Sequence, residues 1–281
     1  MPMEYINDNG KLIKKENWQL SPDNRSFRYG DGFFETMHLI NGKLILEAYH
    51  FERLFSSLEI LKFTKPQHFT LQKLTQEIIE VAIKNNHKHA RVRLTIYRGD
   101  GGLYDEVNHA PNYLIQTWAL NNSINTLNEN GLIVDFYVDA RKPCDNFSAI
   151  KSNNFLCYAM GALWAKQQKL NDCILLNAFD NVADATIANV FIVKDGTICT
   201  PLLTDGGING VMRRHILKCI KDEGIPNKET SLTADDILQA SEVFFTNAIY
   251  GIRWVKQVGK SHYQNQVAAF LHAKFVAPLF K

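Results

Sequence analysis

Two Asn-Gly dipeptides, each set between apolar runs, restrict the fold of this chain more than any other feature. They lie in "MEYINDNGKLI" (3–13) and "FFETMHLINGKLILEAYHF" (33–51). Asn-Gly tolerates positive φ at both central positions of the tight turns whose twist matches paired strands, so both stretches read as β-hairpins. A chain that opens on hairpins builds antiparallel sheet first.

Beyond the hairpins, strand and helix do not alternate regularly. Helices are expected at about 50–62, with Leu54, Leu58 and Leu61 as the apolar stripe, and at about 70–86. Strands are expected at 90–99 and 112–120. In the first, Val92, Leu94 and Ile96 alternate with Arg91, Arg93 and Thr95, giving one buried and one polar face. A polar, aperiodic stretch, "NNSINTLNENG" (121–131), reads as a linker. Beyond it come a strand at 132–138 and a helix from Asn153 to Gln167. Strands run through 172–201, and a helix at 211–223 is closed by Gly224 and Pro226. A strand within 241–252 and an amphipathic helix near 264–278 complete the chain. This order predicts an α+β fold rather than a doubly wound sheet, with a small N-terminal α/β domain at 1–120 and a larger C-terminal domain at 132–281.

At 281 residues and 46% hydrophobic content the chain can fill substantial cores. A formal net charge of +2, with Lys and Arg scattered, gives no electrostatic case for nucleic acid or a membrane surface. The five cysteines show no C-x-x-C and read as small buried residues in a reducing compartment. The nine histidines show no H-E-x-x-H, and no metal site is expected. With no basic-then-apolar opening segment and no apolar run of about 18 residues, the expectation is a soluble cytoplasmic protein.

Four places invite a chemical reading. Ser152 is a candidate N-cap for the 153–167 helix, whose stripe of Phe155, Leu156, Ala159, Met160, Leu163 and Trp164 is expected to face the core. Lys151 then stands one step before the cap, where the helix dipole and four unpaired N–H groups repel a cation. It is either a solvated lysine or an amine readied to attack a carbonyl. In "GGINGVMRRHIL" (206–217) a glycine before a helix start exposes amides able to hold a phosphate. Arg53 lies on the helix after the second hairpin and reads as a surface arginine or an anion ligand. Asp184 lies between strand-like runs and reads as a turn residue or a functional acid.

In this order the segments resemble one family, the class IV aminotransferases, which are fold-type IV pyridoxal 5′-phosphate (PLP) enzymes. The resemblance runs through "YGDGFFET" (29–36), "HFERLFSSLEIL" (50–61), "IKSNNFL" (150–156), "ADATIANVFIVKDGTICTP" (183–201), "GVMR" (210–213) and "DDILQASEVFFTNAIYGI" (235–252). It implies a two-domain fold whose C-terminal domain binds PLP and carries a barrel-like sheet. It also implies a homodimer. Lys151 matches the lysine that forms the Schiff base with PLP, and Arg53 the arginine that grips its phosphate. Gly210, Val211 and Met212 match the helix start whose amides bind the same phosphate, and Asp184 the acid that pairs with the pyridine nitrogen.

The chain departs from the family where Asp184 replaces the usual Glu and Met212 a common threonine. Phe34 and Phe155 occupy positions where one branch or another carries tyrosine. Leu103 lies about where D-amino-acid aminotransferases and many lyases place an arginine. Asn247 and Ala248 look like the lyase branch, whereas Arg93 matches a carboxylate-proximal arginine of the branched-chain branch. Phe34, Arg93, Asn247 and Ala248 are the expected substrate-side residues. The reading is an aminotransferase acting on an amino acid, branched-chain substrates included, and a 2-keto acid. The alternative is 4-amino-4-deoxychorismate lyase, which releases pyruvate and p-aminobenzoate in folate synthesis. A third reading is a cofactor-binding protein without turnover.

Overall fold

Both Asn-Gly dipeptides make the turns their chemistry favours: Asn9, Gly10, Asn41 and Gly42 all have positive φ. The structure, a computed structural model, describes residues 4–280. It contains two compact units.

The first unit runs to Ile124 and takes in Ile150–Asn154. Its elements are β1 (Tyr5–Asp8), β2 (Lys11–Lys14), α1 (Arg25–Tyr29), β3 (Gly32–Ile40), β4 (Lys43–Leu44), α2 (Glu47–Ile60), α3 (Leu71–Lys84), β5 (His89–Tyr97) and β6 (Asn112–Ala119). The strands form one antiparallel sheet in the order β2-β1-β6-β5-β3-β4. Val92, Leu94 and Ile96 of β5 point into a core shared with Leu54 and Leu58 of α2 and Leu74, Ile78 and Val81 of α3. Each such side chain contributes about 1.5–3 kcal/mol by leaving water. Arg91, Arg93 and Thr95 take the other face, as their alternation requires.

The second unit comprises Asn125–Ala149 and the chain from Phe155 onward. It holds β7 (Leu132–Lys142), α4 (Leu156–Gln167), β8 (Asp172–Asn177), β9 (Val182–Ala185), β10 (Asn189–Lys194), β11 (Thr197–Thr200), α5 (Val211–Asp222), β12 (Asn227–Glu229), α6 (Ala234–Leu238), β13 (Glu242–Asn247), β14 (Gly251–Val258), β15 (Ser261–His262) and α7 (Gln266–Leu271). The sheet order is β12-β11-β10-β13-β14-β7-β8-β9, with β15 on β14, and the pairing is mixed. Val182 and Ala185 of the terminal strand β9 share one core with Val190 and Ile192 of β10, Val243 and Phe245 of β13, and Val255 of β14. The sheet therefore curls around that core in the manner of a partial barrel.

Residues 150–154 behave differently from the sequence reading. Phe34 N donates to Lys151 O at 2.9 Å and Asn153 N to Gly32 O at 2.8 Å, while Ser152 bridges Phe33 and Ile150 enters the first core. Lys151 thus belongs to the first unit, whereas the sequence assigned it to the C-terminal one, and the division falls between Ile124 and Asn125, inside the expected linker. Because the backbone is held by β3, the helix cannot begin at Asn153. It starts at Leu156 with Phe155 as an N-cap that makes no side-chain bond, and Ser152 caps nothing.

The expected core stripe of this helix is also corrected. Leu156, Met160 and Leu163 are 69%, 44% and 54% exposed; Tyr158, Gly161 and Ala165 are buried instead. The helix is apolar on more than one face, and the sheet takes the face with small residues. A Cβ at Gly161 would sit 3.0 Å from Cys173 Sγ, so any larger residue there would push the helix or Cys173 back by a few tenths of an ångström. At the C-terminus α7 gives way to a π-helical turn and a 3-10 turn rather than one helix over 264–278. Pro278, which lacks an N–H, lies in that last segment.

Candidate active site

In the first unit, one aromatic ring organises two of the expected residues. Phe34 is buried on β3. Lys151 Nζ lies 4.8 Å from its ring centre and the Arg93 guanidinium carbon 3.6 Å from it. The register explains this: Thr36 opposes Arg93, so Arg93 is the diagonal neighbour of Phe34. Burial, with Arg91 nearby, brings the Arg93 pKa down to about 10, and the side chain remains a cation at neutral pH.

The other expected cation is already partnered. Arg53 donates from Nε and Nη2 to the two oxygens of Glu35 at 2.8 and 2.6 Å, and His50 Nδ1 contacts Glu35 Oε2 at 2.7 Å. All three groups are buried. Burial alone would raise the Glu35 carboxyl. The Arg53 charge and the bonds from His50 and Arg53 outweigh it and hold the pKa at about 2. Burial lowers the His50 pKa against the pull of Glu35, so the ring is neutral and donates from Nδ1. Its Nε2 is buried with no hydrogen-bond partner. One strand thus sets both residues: Phe34 fixes Lys151 by backbone bond and ring, and Glu35 fixes Arg53. Asp31 of the same motif is structural, pairing with Arg25 and Arg98. Leu103 is exposed.

In the second unit, Asp184 is buried and held by three donors. Tyr158 Oη and Ile208 N donate to Oδ2 at 3.0 and 2.7 Å, and Asn189 Nδ2 donates to Oδ1 at 2.7 Å. Burial pushes its pKa up to about 6, opposed by the Ile208 amide, the Lys142 charge and the side-chain donors. An ionised carboxylate has about four acceptor sites, so one is left for a further N–H. Tyr158 stacks on Phe155, their ring centres 4.3 Å apart.

Asn189 Nδ2 also donates to Ile208 O at 2.7 Å, and a Cβ at Gly210 would collide with its Oδ1. Gly210 caps α5 without a side-chain bond, leaving the first amides of that helix uncapped. Met212 is fully buried, so its side chain packs in the core and only its amide faces the helix start. Thr246 stands opposite Asn189 across β10 and β13 and therefore on the same face; its buried Oγ1 has no partner. An uncapped helix start and an unpaired hydroxyl on one face fit a phosphate. Asn247 Oδ1 accepts from Ile249 N and Tyr250 N, at 3.0 and 2.8 Å, and the residue lines a cleft of about 240 Å³ with Ile187, Phe245, Tyr250 and Arg253. Ala248 is partly exposed on the same turn. Among the described residues, no group of three or more His, Cys, Asp or Glu could hold a metal ion.

The pattern of the family described as amino-transferase class IV matches residues 32–258, most of the chain. This protein belongs to the class IV aminotransferase family. An aminodeoxychorismate lyase of Bacillus subtilis is 30% identical over 272 residues, covering 94% of this chain and 89% of the relative. A D-alanine aminotransferase of Listeria monocytogenes is 27% identical over 283 residues, covering 95% and 93%. The crystal structure of a branched-chain aminotransferase from Thermoproteus uzoniensis has the same fold, with a TM-score of 0.88 at 23% identity, covering 99% of this chain and 95% of that one. As a class IV aminotransferase family member the chain is a PLP-dependent enzyme.

Sequence reasoning for this family member missed Glu35, His50, Tyr158, Asn189, Thr246 and Lys142. Glu35 and His50 lie inside the motifs that pointed to the family, and a Glu within the apolar run "GFFETM" was the available signal. Asn189 and Thr246 also lie inside such motifs, 183–201 and 235–252, whereas for Tyr158 and Lys142 no local pattern announced a role.

Proposed function

We propose that this enzyme is an amino-acid aminotransferase using a 2-keto acid as acceptor. The observation carrying this reading is the Lys151–Phe34–Arg93 arrangement: an amine and a carboxylate receptor on one buried ring. An α-amino acid carries its amine and carboxylate on one carbon, so Arg93 would meet the carboxylate while the amine faces the cofactor that Lys151 would hold. Arg93 binds the substrate carboxylate through its guanidinium, with Phe34 shaping the floor beside it.

PLP, once bound, supplies the electron sink for the pair left at the substrate α-carbon. Lys151 Nζ holds the cofactor covalently and, when released, carries the α-proton. The amides of Gly210, Val211 and Met212 and the Thr246 hydroxyl hold the phosphate, together with Arg53, which Glu35 keeps in place. Asp184 pairs with the pyridine nitrogen through its remaining acceptor site and favours the protonated ring. Asn247 and Ala248 form the turn that borders the substrate.

The lyase reading is favoured by one observation, the Asn247–Ala248 turn where branched-chain enzymes carry Gly-Thr-Ala. The two separate on the acceptor. With a purified preparation, amino-group transfer requires an added 2-keto acid, whereas a lyase yields pyruvate from aminodeoxychorismate without one. Mass spectrometry of a donor–acceptor screen reads both, and pyruvate release without acceptor overturns the aminotransferase reading.

The enzyme is a cytoplasmic homodimer in this proposal. Its five cysteines are unpaired, in keeping with a reducing compartment. Leu156, Met160 and Leu163 lie at i, i+4 and i+7 on α4, an exposed apolar face that a second copy would cover. Among the described residues no helix is long and apolar enough to cross a membrane.

A further inference from the structure

We propose that Lys142 is an electrostatic positioning residue for Asp184, its buried ammonium supplying a positive charge to the carboxylate beside their shared neighbour Tyr158. This rests on the pyridine-pairing role proposed for Asp184. Lys142 ends β7 and is only 7% exposed. Its Nζ donates to Gly206 O at 2.8 Å and Ser148 O at 3.3 Å. The same Nζ stands 5.6 Å from the centre of the Tyr158 ring, whose hydroxyl donates to Asp184 Oδ2 at 3.0 Å. The Tyr158 side chain therefore neighbours both groups, the ammonium over its ring and the carboxylate at its hydroxyl.

The other groups around Asp184 carry no charge. Asn189 contributes an amide, Ile208 a backbone N–H and Tyr158 a phenol that burial keeps protonated. Asp145, Cys144 and Cys157 act on Lys142 and bring no second cation. Burial drives Asp184 toward its neutral form, and the Lys142 charge opposes that drive. Two carbonyls could be satisfied by any N–H donor. They do not account for a buried cation, which is costly to desolvate, whereas nearby carboxylates do, Asp184 ahead of Asp145.

Lys142→Gln keeps N–H donors for Gly206 O and Ser148 O but loses the charge; Lys142→Arg keeps the charge. The measurement is the titration midpoint of Asp184 by carbon NMR in cofactor-free protein with labelled aspartate, the signal identified by its loss in Asp184→Asn. The midpoint should rise by roughly one pH unit or more in Lys142→Gln and stay near the parent's in Lys142→Arg. If Lys142→Gln does not fold, Lys142→Met is read in the same way. An unchanged midpoint in the uncharged variant overturns the proposal. In the PLP-loaded protein an adjacent pyridinium should bring the Asp184 midpoint below its cofactor-free value. A midpoint that rises in Lys142→Gln but does not fall when PLP binds upholds the Lys142–Asp184 coupling and refutes the pyridine-pairing reading instead.

Discussion

Glu35 and Asp184 are both buried carboxylates, and their surroundings push them in opposite directions. Glu35 faces a guanidinium and is held at about 2, below the usual 4.5. A depressed pKa contributes stability that is present above the unfolded value and is lost as pH falls from about 4.5 toward about 2. Acid unfolding followed by circular dichroism should therefore steepen in that window, and Glu35→Ala should remove the steepening. The same variant removes the carboxylate that pairs with the buried Arg53 and should lose about 3–5 kcal/mol in denaturant unfolding at neutral pH. Asp184, raised to about 6, is ionised only above that pH. If it pairs with the pyridine nitrogen, PLP binding draws its pKa below that cofactor-free value, and Asp184→Asn keeps the fold while losing most of its single-turnover rate. A parental rate in the Asn variant would return Asp184 to a purely structural role. Lys151, Arg53 and Asp184 could be proposed from the sequence because each sits inside a compact motif. Glu35's hold on Arg53 could not, since the two are 18 positions apart.

The segment 150–154 decides more at the element scale than the helix after it. Its backbone completes the free edge of β3, and that competition delays α4 until Leu156. Periodicity alone could not foresee this, because a sheet edge elsewhere in the chain overrides a local cap signal. Nor could it tell which apolar face of α4 is buried, since Gly161 and Ala165 win their place by smallness. Gly32 tests the edge. A Cβ there would collide with Ile96 O and Asn153 Nδ2. Gly32→Ala should lose about 1–3 kcal/mol of stability and, because Asn153 must move, slow cofactor attachment at Lys151. Unchanged attachment kinetics would show that the β3 contact does not position the lysine. The hairpins, by contrast, were fully legible, because Asn-Gly turns are set by local backbone preference.

For the whole molecule, the order of motifs along the chain carried the family, while composition only narrowed the class. If a second copy covers the exposed Leu156, Met160 and Leu163 face, as proposed, the parent is a dimer in light scattering at micromolar concentration and Leu163→Glu a monomer. A monomeric parent would contradict the dimer, and a dimeric Leu163→Glu would place its interface elsewhere. Every catalytic role proposed for this enzyme depends on Lys151 as the residue that holds PLP. Reducing the PLP-loaded protein with borohydride and mapping its peptides tests this directly. One pyridoxyl group is expected, on the peptide containing Lys151, and none in Lys151→Ala. A label on any other lysine of the parent protein would contradict it.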